Sequence, residues 1–316
     1  MRNPQLNRQG ALNHLLTTEG LPPRILNRLL DLTQDYLPGS AEVVHADAAS
    51  LSGRRVFSLF FDDSARIRQS FDAAASRLSA QIVHLEVENV TSKTSDALFE
   101  MLADLHTAAG DVLVLSHPQS GAPYMVTQTL APAMHVINAG DGTHADPTQA
   151  LANVFTIRHL KNDLSNLTVA LTGDVLHSRE ARSTIHALTT LGVAEVRVVG
   201  PLTLMPKGLE QLGVRVCTKM SDGLRDADVV LALPDQHERL PASLRLSVQD
   251  YAEREGLDMD MLAYAKPDCL LMQTGLTGQM RRIVLGEPGE AWPTPASDIG
   301  TAVRMAALSL VVGAQR

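Results

Sequence analysis

Residues 136 to 157 read VINAGDGTHADPTQALANVFTI, and the rest of the chain is best read outward from them. Val136 and Ile137 close a short apolar run. The run ends in Asn138-Ala-Gly-Asp-Gly142, and a polar loop, His144-Ala-Asp-Pro-Thr-Gln149, leads into an amphipathic helical pattern. Pro147 suits a first helical turn, because its φ is already helical and its missing N–H would be unpaired there anyway. Asp146, one residue earlier, is a helix-capping type. Glycines at 140 and 142 let the backbone come close to a ligand. Strand, glycine loop and helix N-terminus form the arrangement that holds anions beyond the carboxyl ends of strands in α/β proteins. The same pattern also describes an ordinary strand-to-helix loop.

The chain has 316 residues, 45% of them hydrophobic and 20% charged. Those totals predict a folded protein of about two domains with a sizeable core. No apolar run reaches the ~18 residues of a membrane span, and the start, MRNPQLNRQGALNHLL, lacks the charged-then-apolar order of a secretory signal. Cys217 and Cys269 are isolated and read as buried thiols in a reducing cytoplasm. A formal charge of −8 argues against nucleic acid and anionic membranes as partners. No closely spaced Cys/His set is present, so neither a metal nor a cofactor is expected.

Helical spacing of Ile25, Leu26, Leu29, Leu30 and Leu37 predicts a helix within 21–37, opened by Pro22-Pro23 and stopped by Pro38-Gly39. Strands are predicted at Val56–Phe61, Gln81–Val87, Val112–Ser116 and Met134–Asn138, with helices near Arg66–Leu78, Ala97–Ala109 and Gly121–Leu130. After the loop helix the alternation restarts. Strands are predicted at Leu167–Gly173, Glu195–Gly200, Val214–Cys217, Val229–Leu233 and Cys269–Met272, and helices near Arg179–Leu191, Met205–Leu212 and Val248–Ala265. Gly286–Ser297 reads as a linker, and the last helix, Ile299–Val312, is apolar almost all round and therefore buried. Strand-helix alternation means two doubly wound, parallel-sheet α/β domains of the Rossmann-like kind. The expected division is 1–147 plus 298–316 against 148–297.

The residue strings are more specific than these patterns. The loop at Asp141-Gly142 through Asp146-Pro-Thr-Gln-Ala-Leu151 resembles the hinge of the aspartate carbamoyltransferase family, which reads Asp-Gly…His-Pro-Thr-Gln-Ala-Leu. Ser58–Phe71 (SLFFDDSARIRQSF) is similar to that family's phosphate loop, Phe-Phe-Glu-x-Ser-Thr-Arg-Thr-Arg-x-Ser-Phe. His117-Pro-Gln-Ser-Gly-Ala122, Gly173-Asp-Val-Leu-His-Ser-Arg-Glu-Ala-Arg-Ser183, Gly200-Pro-Leu-Thr-Leu-Met-Pro206, Ala265-Lys-Pro-Asp268 and Ala302-Val-Arg-Met-Ala306 also match, nearly end to end. The resemblance implies a carbamoyl-phosphate-type domain, an aspartate-type domain, a hinge helix and a C-terminal helix returning to the first domain. It also implies homotrimers or higher oligomers, cytoplasmic and without a cofactor, each site completed by a neighbour's loop.

The resemblance further implies which side chains touch substrate, and most of these are replaced. Ser64, Arg66, Gln149, Arg179 and Gln236 survive as ligand-binding remnants. The two phosphate-loop threonines are Ala65 and Ile67, and the loop lysine falls on Thr94. The Arg before His-Pro is Ser116, and the hinge His is Asp146. The Arg-x-Gln of the second domain is Pro234-Asp235-Gln236, and its His-Pro-Gly-Pro loop begins at Gln273. The family's site neutralises two dianions, and one charge-assisted contact contributes ~1.5–3 kcal/mol. The changes remove cations and add carboxylates, so neither carbamoyl phosphate nor L-aspartate should bind well, and the polarised carbonyl is missing. Catalytic roles are therefore unassigned; the candidates are Ser64, Arg66, Asp146, Gln149 and Gln273. Two readings remain. One is a degenerate structural or regulatory subunit of the pyrimidine-pathway kind, assembling alone or with an active carbamoyltransferase or a dihydroorotase-like partner. The other is an enzyme repurposed for a less anionic substrate pair.

Overall fold

The computed structural model describes residues 3–38, 50–61, 64–86, 98, 102, 111–129, 134–233, 256–273, 283–284 and 296–313. Several expectations lie outside them: the body of the helix at 97–109, Thr94, Pro234, Asp235, Gln236, the first part of the helix at 248–265, and most of the linker. The chain divides into two compact units. One holds Met1–Phe155 with Ser297–Arg316, and the other holds Thr156–Ala296.

The first unit opens with helix α1 (Pro23–Asp35), its start set by Pro22-Pro23 and its buried face formed by Ile25, Leu26, Leu29 and Leu30. Strand β1 (Arg55–Phe60), helix α2 (Ala65–Arg77), β2 (Gln81–His84), β3 (Val112–His117), α3 (Ala122–Thr129) and β4 (His135–Asp141) follow. The strands are all parallel, in the order β2-β1-β3-β4. Every residue of β3 and β4 is buried, which explains why both strands read as apolar runs instead of alternating. The order reverses between β1 and β3, so the loops leaving their carboxyl ends flank a topological switch point, where open α/β sheets place ligands.

Strand β4 runs three residues further than its apolar run suggests. A register shift in β3 between Leu115 and His117 lets His117 pair with Asp141, a bulge that keeps the ladder going through Gly140 at φ 121°. Helix α4 (Pro147–Lys161) starts at the predicted proline. The division between the units falls inside it, after Phe155.

The second unit contains β5 (Thr168–Thr172), α5 (Arg179–Thr190), β6 (Glu195–Val199), β7 (Val214–Cys217), α6 (Met220–Leu224), β8 (Val229–Ala232), α7 (Met259–Leu262), β9 (Leu270–Gln273) and β10 (Ile283–Val284). The strand order is β10-β9-β8-β5-β6-β7, parallel except for the antiparallel edge made by β10. That edge departs from the purely parallel expectation. The stretch 205–212, predicted as a helix, also differs: it holds the 3-10 turn Leu209–Leu212, preceded by another at Leu202–Leu204. Pro206 removes a backbone donor, and Gly208 adopts a left-handed φ of 80°, so an α-helix cannot pass through.

Helix α8 (Ala296–Gly313) belongs to the first unit. Ile299, Ala302, Val303, Ala306, Ala307 and Leu308 are buried. Ser309 Oγ lies 2.8 Å from Tyr36 Oη, and Thr301 Oγ1 lies 3.1 Å from Ser70 Oγ.

Candidate functional site

The loops leaving β1, β3 and β4 carry the predicted site residues of the first unit. Ser64 is the half-buried N-cap of α2, and its hydroxyl makes no capping bond. Arg66 and Ala65 are exposed on the first turn, and Ile67 is half-buried. Arg68 packs its guanidinium 5.2 Å from the Phe60 ring. At the β3 end, Ser116 is fully buried and donates its hydroxyl to the Gly140 carbonyl at 3.2 Å. The Ser116 side chain therefore braces the neighbouring loop. His117 accepts a bond from the Gln119 N–H through Nδ1 at 3.0 Å and meets Phe61 edge-on, 4.6 Å between centroids.

The loop after β4 is built on Asp141. Its carboxylate is 1% exposed and accepts from Gly121 N at 2.6 Å, Asn138 Nδ2 at 2.8 Å, Ala145 N at 3.0 Å and His144 Nδ1 at 3.0 Å. A buried carboxylate needs such a complement of donors to offset its lost hydration. Gly142 then turns the chain with φ 49°, and a Cβ there would strike Ser120 Oγ and lie 2.8 Å from Ser120 N. Sequence reasoning placed a ligand-approach loop here and missed Asp141 as its hub. The available signal was Asn and Asp flanking glycine at a strand end, where short polar side chains bond nearby backbone.

Asp146 is buried, and its Oδ1 accepts the Gln149 N–H at 3.1 Å and the Thr148 hydroxyl at 3.5 Å. It is the cap of α4. Arg304 of α8 is also buried in this unit. Its Nη1 donates to Ser70 Oγ at 3.0 Å, and its guanidinium stands 5.1 Å from the Phe71 ring. Burial pushes Arg304 down to about 10, while the negative charge of Asp146 opposes that shift. The carboxylate at the hinge thus caps a helix N-terminus, and its charge favours the cationic form of the buried Arg304 in the same unit. Gln149, half-buried, contributes its backbone to the cap.

In the second unit the equivalent loop leaves β5 at Gly173. Asp174 is buried and accepts the His177 N–H at 3.0 Å; its two oxygens lie 3.0 and 2.9 Å from His177 Nδ1. Nδ1 therefore carries the proton, and Nε2 bonds to no described residue; the side chain is 23% exposed. Ser178 caps α5 by accepting the Ala181 N–H at 3.1 Å, which starts the helix at Arg179, half-buried. Arg182 is exposed on the same helix. Gln273 is exposed at the end of β9. Among the described residues, no three His, Cys, Asp or Glu groups gather as a metal site, and no helix is long and apolar enough to cross a membrane.

Residues 13–159 match the family model described as aspartate/ornithine carbamoyltransferase, carbamoyl-P binding domain. Among solved structures, aspartate transcarbamoylase from Trypanosoma cruzi in complex with carbamoyl phosphate and aspartate is 26% identical, with a TM-score of 0.73 over 94% of this chain and 96% of that one. The same enzyme with carbamoyl phosphate alone is 25% identical, with a TM-score of 0.74 over 94% and 95%. The family match over residues 13–159 and the likeness of fold over nearly the whole chain support the aspartate/ornithine carbamoyltransferase superfamily. The phosphate-bound form of that enzyme, at 24% identity, gives a TM-score of 0.75 over 98% of each chain, a likeness of fold. The two parallel-sheet α/β domains match the aspartate transcarbamoylase fold.

Proposed function

We propose that this chain keeps the carbamoyltransferase scaffold without ordinary carbamoyl transfer to L-aspartate, and serves as a structural or regulatory subunit of a cytoplasmic, pyrimidine-pathway-type oligomer. The observation that carries the reading is Asp146. At the hinge position where the resemblance expects a carbonyl-polarising His, a carboxylate caps α4 with Arg304 as its buried counter-charge. An ionised carboxylate only accepts hydrogen bonds, so it cannot polarise a carbonyl oxygen. Ser116, in the place of an Arg, spends its hydroxyl on Gly140. Each lost charge-assisted contact is worth roughly 10- to 100-fold.

The deciding assay is carbamoyl-aspartate formation by the pure chain from carbamoyl phosphate and L-aspartate. We expect turnover at least about a thousandfold below an ordinary transcarbamoylase; a normal rate ends this reading. Light scattering should show a trimer or larger species, and co-purification from the native cell should bring down an active carbamoyltransferase or a dihydroorotase-like protein. A clean monomer with neither partner would remove the subunit role.

One observation favours the repurposed reading instead. The Asp174–His177 pair holds a partly exposed imidazole through Nδ1, as a carboxylate orients a proton-transfer histidine. Binding of uncharged or cationic amines in a thermal-shift screen, with no response to carbamoyl phosphate, would select that reading over the first.

A further inference from the structure

Residues 12–16 lie along the outer edge of β4 as an added strand. Leu15 bridges Ile137 in parallel register. Leu15 N donates to the Val136 carbonyl at 2.9 Å, and Asn138 N donates to the Leu15 carbonyl at 2.8 Å. Two buried histidines complete the seam, His14 on the segment and His135 on β4, with ring centroids 6.4 Å apart.

The hydrogen bonds fix the protonation of both rings. The Val136 N–H donates to His14 Nδ1 at 3.0 Å, and a backbone amide has no other role to offer, so Nδ1 bears a lone pair. His14 Nε2 then carries the proton, and the Asn13 side-chain amide 2.6 Å away must present its oxygen. His135 Nδ1 lies 2.7 Å from the Asn13 carbonyl and must donate. Its Nε2 is buried without a partner among the described residues, and a proton added there would be a buried N–H with no acceptor among them. Among the described residues, the surrounding charges give no help. Arg54, just before β1, repels a cationic His135. The carboxylate of Asp111 is held by Arg55 at 2.6 Å, and its backbone carbonyl accepts His135 N at 2.9 Å. Burial pushes His14 down to about 4 and lowers His135, and a charge on either opposes a charge on the other.

The seam reaches the site loop through one side chain. Asn138 Nδ2 donates both to the Leu16 carbonyl and to Asp141 Oδ1, each at 2.8 Å. We propose that residues 12–16 are an acid-released clasp: both histidines must be neutral for the segment to stay on β4, and its release loosens the Asn138–Asp141–His144 loop.

Hydrogen exchange on the full chain between pH 7 and pH 4, corrected for intrinsic rates, tests this. Protection of the Leu15, Val136 and Asn138 amides should fall about 100-fold relative to buried amides of β5 and β6, and Ala145 should follow. In the double variant His14→Asn/His135→Asn, which keeps one acceptor and one donor and cannot titrate, the ratio should stay flat. A flat ratio in the wild type, or an equal fall in the double variant, overturns the clasp. Opening at Leu15 with Ala145 still protected overturns the link to the loop. If the double variant does not fold, ring titration of wild-type His14 and His135 by NMR decides: protonation of both with the clasp amides still protected refutes the proposal.

Discussion

At the scale of single residues, Asp146 has two separable duties, cap and counter-charge. Asp146→Asn keeps a capping oxygen and leaves the Arg304 cation uncompensated; Asp146→Ala removes both functions. Urea unfolding should show both variants destabilised, the alanine by about 1 kcal/mol more than the asparagine. Equal losses would mean that the cap contributes nothing. Gly142→Ala should cost about 1–3 kcal/mol, because the new Cβ meets the backbone of Ser120 at a φ of 49°; an unchanged melting temperature would show that the turn can relax. Asp146 as a cap was legible from its place before Pro147. Arg304 as its counter-charge was not, since nothing local in the sequence pairs a residue of α8 with the hinge. Asp141 was visible as a turn residue, but four donors converging on its carboxylate are a product of three-dimensional closure.

At the scale of elements, the two sheets share a device. Asp111, just before β3, accepts Arg55 N at 3.0 Å at the start of β1; Asp228, just before β8, accepts Thr168 N at 2.9 Å at the start of β5. Each carboxylate satisfies a strand-start amide that the ladder leaves over and takes a cation as well, Arg55 in one case and Lys266 in the other. Asp228→Ala should therefore lower the stability of the second unit by about 1–3 kcal/mol, read from denaturant unfolding; Asp228→Asn should recover part of it. Apolar runs made the strands readable because these strands are buried on both faces. The stretch 205–212 misled because its leucines keep helical spacing, while Pro206 and Gly208 decide the backbone.

At the scale of the whole molecule, stability should depend on pH in a definite direction. His14 and His135 titrate lower in the fold than in an unfolded chain. Below about pH 6.5 the unfolded state takes up protons that the folded state refuses. Stability is therefore complete above that value and falls as pH drops toward 4, by up to ~1.4 kcal/mol per pH unit for each ring. Melting temperatures flat from pH 7 to 4.5 would contradict this. The paired α/β plan was legible throughout, because strand and helix patterns alternate along both units.

The return of α8 to the first unit has a consequence for how the chain is made. The segment that fills a slot beside Phe71 and Tyr36 is translated only after the whole second unit. On the ribosome, the first unit must therefore wait with an open apolar groove while its neighbour folds. Relocating residues 297–316 ahead of residue 1 in a circular permutant would let that unit close before the second emerges.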